Sequence, residues 1–352
     1  MSTGVSPFGE DQAESIAMLR DSARGLLGAG PARARKLRFT EPGFEPAVLR
    51  QMGEAGWIGL AVPEENGGTG LGMGEMVALA EEMGRALAPE PLTACQLSAH
   101  LLTGHDLLGS ALTGEAVVLT AWQDRANTLA PAAGTEGPRS FVPMAAGATH
   151  FLWPVGEALH IVPREAAEVT TEATQDGGHL GAVRPRELGP AIGAAGGQMR
   201  LREALDRAAL ATAAELLGGM EAALAMTLDY LRTRQQFGKI IGTFQALQHK
   251  AADARMQLSL CRAAVEQAAA ALDAGATGDA ASAIVSRAKA RASEAAMAVQ
   301  QACVQLHGGI GYTDDYDVGL YLRRAMVLAP LFGGAALHRR RFMELSPEME
   351  DA

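Results

Sequence analysis

Arg234, Phe237 and Gln245 are the residues whose types and spacing most directly offer chemistry. They fall within one stretch, Arg234-Gln235-Gln236-Phe237-Gly238-Lys239-Ile240-Ile241-Gly242-Thr243-Phe244-Gln245-Ala246-Leu247-Gln248-His249-Lys250-Ala251-Ala252-Asp253. A guanidinium is always charged and can grip phosphate oxygens bidentately, and free amides at a helix start favour negative charge. An aromatic ring and an amide beside them suit a pyrophosphate carrying a flat ring. The residues alone allow a second reading, a surface arginine and two core residues at a helix-helix corner. A second stretch, Gln305-Leu306-His307-Gly308-Gly309-Ile310-Gly311-Tyr312-Thr313, sets glycines at a helix end, where the backbone can turn sharply and a ligand can come close. A helix cap alone would also account for them, and His307 reads as a helix-end residue rather than a base.

These residues need helices to hold them, and the apolar period supplies them. Leu205 to Leu231 reads as one long helix, and Gly238 and Gly242 break the pattern. A new helix then begins at Phe244, with Thr243 in the N-cap position. Phe244, Leu247, Ala251, Ala254, Leu258, Cys261, Val265 and Ala268 follow in steps of three and four, which makes one continuous packing face. Gly275 and Gly278 mark a turn before Asp279, read as the next N-cap, and a helix from Ala280 to Leu306 follows. Three segments are expected: helical residues 1–115, a small β region over 116–201, and a helical bundle over 202–352. The β reading rests on the short apolar runs at Val117–Thr120, Ser140–Pro143, His150–Trp153 and Leu159–Val162, separated by turn residues.

Composition narrows the classes of function. With 48% hydrophobic and 20% charged residues in 352, the chain can build ample core, and a net charge of −10 disfavours a nucleic-acid backbone as ligand. Arg339-Arg340-Arg341 reads as a solvated helix end. Cys95, Cys261 and Cys303 lie far apart without C-x-x-C spacing, so they read as buried thiols in a reducing cytoplasm, with neither metal nor disulfide. The start Met1-Ser2-Thr3-Gly4 has no basic or apolar leader, and no continuous apolar run reaches the ~18 residues of a membrane span. Gly67-Gly68-Thr69-Gly70 lacks the strand before it and the Lys-Ser/Thr after it that a phosphate loop needs, so it reads as a structural turn.

The stretch from Arg234 closely resembles the signature R-x-x-F-G followed by F-Q-x-x-Q-x-x-x-A-D of the flavin-dependent acyl-CoA dehydrogenases. Gly56-Trp57-Ile58-Gly59-Leu60-Ala61-Val62-Pro63-Glu64-Glu65-Asn66-Gly67-Gly68-Thr69-Gly70 and the segment ending Glu81-Glu82-Met83-Gly84-Arg85-Ala86 resemble the same family's N-terminal helices. The stretch from Gln305 resembles its Q-x-x-G-G-x-G-Y segment. The resemblance implies an α+β fold: an N-terminal helical domain, a small middle β domain and a C-terminal four-helix bundle. It also implies FAD as cofactor, held across a subunit interface by Arg234, Phe237, Gln245, Gln305, Leu306, His307, Gly308 and Gly309.

The same resemblance marks what has changed. Tyr321-Leu322-Arg323-Arg324-Ala325 fits the family's Y-x-R-D-A helix, and counting forward puts Phe332 where many members carry the catalytic Glu. Ala208, and Ala225 or Met226, occupy the alternative positions for that base, while Asp206, Glu215 and Asp229 lie on the same helix. The middle-domain loop T-E-P-x-A-G-S-D is replaced by Leu119-Thr120-Ala121-Trp122-Gln123-Asp124. The expectation is therefore a cytoplasmic partner subunit without a catalytic residue of its own. It would complete the FAD sites of a second acyl-CoA dehydrogenase chain in an α2β2 heterotetramer. The complex would act on an acyl-CoA, such as a steroid side-chain CoA thioester, and pass electrons to an electron-transfer flavoprotein. Two alternatives stay open: a self-sufficient homotetramer with a relocated acidic base, and a non-enzymatic scaffold.

Overall fold

The computed structural model describes residues 7–28, 30–135, 137–192 and 197–346, so the Met1–Gly4 start lies outside the described residues. Six helices come first: α1 (Glu10–Leu27), α2 (Ala32–Leu37), α3 (Pro46–Glu54), α4 (Met73–Ala86), α5 (Leu92–Leu101) and α6 (Leu107–Leu112). Strands β1 (Val118–Thr120), β2 (Arg139–Pro143), β3 (His150–Val155), β4 (Ala158–Pro163), β5 (Ala167–Ala173), β6 (His179–Pro185) and β7 (Ala191–Ile192) follow. Helix α7 (Gly197–Thr233), the short strands β8 (Gln235–Gln236) and β9 (Lys239–Ile240), and helices α8 (Gln245–Asp273), α9 (Gly278–His307), α10 (Val318–Leu328) and α11 (Ala335–Leu345) complete the order. The fold is α+β, as the sequence implies.

The chain forms two compact units. One takes the described residues within Arg35–Met76 and Pro89–Ala209 and contains the strands β1 to β7. Its sheets run β1-β3-β4-β7 and β2-β6-β5, with β1 parallel to β3 and the other pairs antiparallel. Strand β6 shows the half-buried alternation, with His179, Gly181 and Val183 inward. The Gly67–Gly70 stretch is a turn around a short 3-10 helix, Glu64–Asn66, with Gly67 at a φ of +85°.

The other unit takes the described residues within Met1–Ala34, Val77–Ala88 and Leu210–Ala352. Helix α9 is its centre and packs on α8, α10 and α11. Its small residues, among them Ala281, Ala288, Ala292, Ala295 and Ala296, are buried and let neighbours approach from several sides. The face expected on α8 is present: Ala251, Ala254, Leu258, Cys261, Val265 and Ala268 are buried, and Phe244 and Leu247 are half-buried. A network of charges ties α1, α4, α7 and α8 together. In it Arg262 pairs with Glu81 at 3.1 Å, Glu221 at 2.6 Å and Glu266 at 3.1 Å, while Arg20 pairs with Glu81 and Glu82 at 2.9 and 3.1 Å. Burial alone would raise the Glu221 carboxyl, but the Arg262 and Arg85 charges outweigh it and hold it below the usual range.

Two expected caps are corrected. Thr243 lies inside a 3-10 turn, Ile241–Thr243, and its hydroxyl donates backward to the Ile240 carbonyl at 2.7 Å. Phe244 therefore holds the cap position of α8 and makes no side-chain cap bond. Asp279 falls in the first turn of α9, because Gly278, with a φ of +58°, starts the helix earlier and leaves Thr277 at the cap. Helix α7 is long and apolar enough to cross a membrane, although no continuous apolar run in the sequence is. Because 78% of its most apolar window is buried inside the protein, it reads as a core helix. The three cysteines are buried free thiols, with burial pushing Cys95 and Cys261 up to about 12.

Candidate functional site

The hinge between α7 and α8 is a miniature hairpin. The Arg234 amide donates to Tyr230 O, and Ile241 donates to Arg234 O, each at 2.9 Å. Gln235 then pairs with Ile240 and Gln236 with Lys239. The tip is Phe237-Gly238, both at positive φ, +55° and +77°. A two-residue hairpin with both central residues at positive φ favours Asn-Gly or Gly-Gly, and a bulky residue there costs ~1 to 3 kcal/mol. Phe237 is also 87% exposed. Neither burial nor backbone preference therefore accounts for a phenyl ring at this point. Arg234 and Gln245 are exposed beside it, and among the described residues Arg234 has no ion-pair partner. Lys239 Nζ lies 4.3 Å from the centre of the Phe244 ring, which meets Phe237 edge-on at 6.2 Å.

The end of α9 comes to the same place. Leu306 joins Leu231, Ile241 and Ala251 in one buried cluster, with Leu228, Tyr230, Phe244 and Leu247 packed against it. This cluster brings the two sequence stretches together. Gln305, Gly308 and Gly309 are exposed, and Gly308 turns the chain at a φ of +66°. A Cβ at Gly308 or Gly309 would meet nothing within 4 Å, so both backbones are open to close approach. The side chains of Leu306 and His307 instead point into the protein. His307 Nδ1–H donates to Cys303 O at 2.8 Å, which fixes the tautomer, and its ring stacks on Tyr230 at 4.6 Å and lies 4.8 Å from Tyr316. Burial pushes its pKa down, only partly opposed by the bond to Cys303, and Nε2 is buried without a partner. This is a neutral helix-end residue.

The turn between α10 and α11 holds the position where the resemblance puts a carboxylate. Phe332 there is 5% exposed, with a φ of +54°. Arg324 is paired with Glu215 at 2.7 Å, and Tyr321 donates to Arg85 O at 2.9 Å. Glu215 is thus engaged in an ion pair between helices, and Asp229 is an exposed partner of Arg232 at 3.1 Å. Ala225 is exposed, and Met226 is half-buried.

In the strand-bearing unit, the segment that replaces the family's middle-domain loop is closed on itself. Arg139 is buried and donates to Ala121 O at 2.9 Å and to Gly134 O at 3.1 Å, with its guanidinium 4.0 Å from the Trp153 ring centre. Ala132 N donates to Trp122 O at 2.8 Å, and Ser140 N to Gln123 O at 2.9 Å. Burial lowers the Arg139 pKa to about 10, opposed by the charge of Asp124. Ala208, Gln96, His100 and Arg207 line a pocket in this unit of about 20 Å³, room for a single water. Asp206 is also buried in this unit and has an interaction partner.

Arg139, Tyr230 and Lys289 were not singled out from the sequence. A signal for Lys289 exists, since it stands at helical spacing from the buried Val285, Ser293 and Ala296 on an otherwise apolar face.

The chain matches the family description "Acyl-CoA dehydrogenase, N-terminal domain" over residues 13–109 and "Acyl-CoA dehydrogenase, C-terminal domain" over residues 196–344. It is 32% identical to acyl-CoA dehydrogenase IpdE2 of Mycolicibacterium smegmatis over 337 residues, 93% of this chain and 97% of that one. Its fold is similar to a variant of the Tcur3481–Tcur3483 steroid ACAD, with a TM-score of 0.85 and 30% identity over 95% of this chain and 98% of that one. It is also similar to the ChsE4–ChsE5 complex from Mycobacterium tuberculosis, with a TM-score of 0.83 and 27% identity over 97% and 98% of the two chains.

Proposed function

The chain belongs to the acyl-CoA dehydrogenase family, and from that premise we propose that it is a partner subunit without a catalytic base, completing FAD sites that belong to a second chain. Family membership makes the chemistry an oxidation at a CH–CH bond, with FAD as the family's cofactor. The observation that carries the finer proposal is Phe237, a ring 87% exposed and held at positive φ beside an Arg234 that has no ion-pair partner among the described residues. Such a ring and guanidinium fit a flat ring and a pyrophosphate supplied by another molecule.

Bound FAD supplies the acceptor for the hydride leaving the acyl-CoA β-carbon. This chain's residues would bind and orient it: Arg234 would hold the pyrophosphate, Phe237 and Gln245 would contact the flat rings, and Gly308 and Gly309 would let the backbone come close. Gln305 adds a side-chain contact, whereas Leu306 and His307 act through backbone. No proton is taken from the substrate by this chain, because a phenyl ring at 332 accepts none and Glu215 is held by Arg324. A lost general base typically costs ~10² to 10⁴ in rate. The closure of segment 121–134 by Arg139 supports the reading that the chain's own flavin place is given up.

The proposed assembly is a cytoplasmic α2β2 heterotetramer acting on an acyl-CoA and served by an electron-transfer flavoprotein. A steroid side-chain thioester is its proposed substrate, supported by the likeness to a steroid ACAD. The division into segments 1–115, 116–201 and 202–352 belongs to the same proposal.

Arg234 provides the test. An arginine-to-phosphate pair is a charge-assisted hydrogen bond of ~1.5 to 3 kcal/mol, about ten- to a hundredfold in affinity. In the co-purified complex, Arg234→Ala is expected to keep helix content and partner binding while FAD is lost on gel filtration. Arg234→Lys should recover part of the affinity, because an ammonium lacks the planar fork. Flavin-to-protein absorbance equal to that of the unaltered complex would refute the assignment.

A further inference from the structure

Lys289 lies at the middle of α9, fully buried, and none of its hydrogen-bond partners is a carboxylate. Its Nζ donates to Ala329 O at 2.8 Å, Ser293 Oγ at 3.0 Å, Gly333 O at 3.1 Å and Leu328 O at 3.4 Å. Leu328 and Ala329 end α10, so the Lys289 side chain donates to carbonyls that a helix terminus leaves without partners. His338 on α11, also buried, reaches the same turn: Nε2–H donates to Phe332 O at 2.8 Å, and Nδ1 accepts from Ser286 Oγ at 3.2 Å. Two successive carbonyls, those of Phe332 and Gly333, are thus received by two buried donors. Their residues have φ values of +54° and +95°. A non-glycine residue persists in such a conformation only when its surroundings over-determine it.

We propose that Lys289 and His338 are positioning residues forming a clamp across the α10–α11 turn, which fixes the backbone at 332 and opens by releasing Lys289 to water. Within the turn the clamp holds backbone carbonyls and touches no side-chain polar atom at 332. It therefore stands independently of the partner-subunit reading.

Opening carries a proton signature. Burial lowers the closed-state Lys289 pKa to about 7, against ~10.4 for a hydrated lysine. The open form then binds the proton more tightly, so opening grows as pH falls through that window and levels off below 7. Around it, His338 is held down to about 3 by burial and by the Lys289 and Arg341 charges, and Arg341 donates to Ser286 Oγ at 3.4 Å. His338 therefore keeps its charge state through the window. On α9 itself Glu294 is paired with Arg339, and Arg291 donates to Gln257 of α8 at 2.6 Å. The groups that α10 and the turn offer Lys289 are backbone carbonyls.

Hydrogen exchange of the purified full-length chain, alone or with whatever subunit co-purifies with it, tests this. In the unaltered chain, exchange of amides in 329–334, corrected for intrinsic rate, is expected to rise about fiftyfold as pH falls from 9 to 7, with no such slope in α8. Lys289→Met should exchange faster there and lose the slope. Lys289→Arg, whose charge is fixed, should lose the slope too. A turn in the unaltered chain without pH dependence, or the same slope throughout α8 and α9, would overturn the clamp. So would a slope that survives in Lys289→Met. Should a variant fail to fold, the profile of the unaltered chain still decides.

Discussion

Phe237 occupies a turn position that favours asparagine or glycine, and it gains nothing there from burial. The account therefore expects stability and function to part at this residue. Phe237→Asn should stabilise the chain by about 1 kcal/mol, the lower end of the cost of a bulky residue at positive φ, while the complex holds FAD less tightly. Urea midpoints and flavin occupancy, measured on the same preparations, check both halves. A variant that is less stable and fully flavinated would show that the ring serves folding. Motif spacing brought Arg234, Phe237, Gln245 and Phe332 forward as candidates. It did not show the strain at Phe237 or the inward turn of His307, since both depend on φ and on neighbours distant in sequence. Lys289 escaped because a lone lysine among alanines looks solvated until α8, α10 and α11 are packed on the helix.

At the scale of elements, α4 and α7 approach through glycine. A Cβ on Gly84 would come within 1.9 Å of Glu215 O, and one on Gly218 within 1.9 Å of Glu81 O. Gly84→Ala is expected to cost about 3 kcal/mol, the upper end for overpacking. Gly25→Ala, at a helical site where a Cβ meets nothing within 4 Å, should instead gain about 0.5 to 1 kcal/mol. Equal shifts in urea midpoint for the two would contradict the crossing. Long helices were readable because burial on one face imposes the period of three and four along α8. Strands β1 to β4 were readable as apolar runs. β5 was not, because Ala167-Glu168-Val169-Thr170-Thr171-Glu172-Ala173 is mostly exposed and carries little apolar signal. The caps failed at Thr243 and Asp279 for a local reason: a 3-10 turn or a glycine shifts the helix start by a residue or two, and a cap rule applied to sequence assumes the start is known.

The whole molecule keeps the acyl-CoA dehydrogenase fold, and the proposal divides the family's chemistry between two chains. Outward lie the hinge hairpin and the glycines at the end of α9. Inward, Phe332, where the resemblance puts the base, is buried, and segment 121–134 is tied to itself. On the proposed reading, a second, unlike chain supplies both the base and the flavin that this one helps to hold. The direct measurement is flavin stoichiometry by visible absorption, on this chain alone and on the complex purified after co-expression with a second acyl-CoA dehydrogenase chain. The account predicts a colourless single chain and a yellow complex holding half as many FAD as polypeptides. A single chain that purifies yellow, with FAD equal to its own concentration, would contradict it.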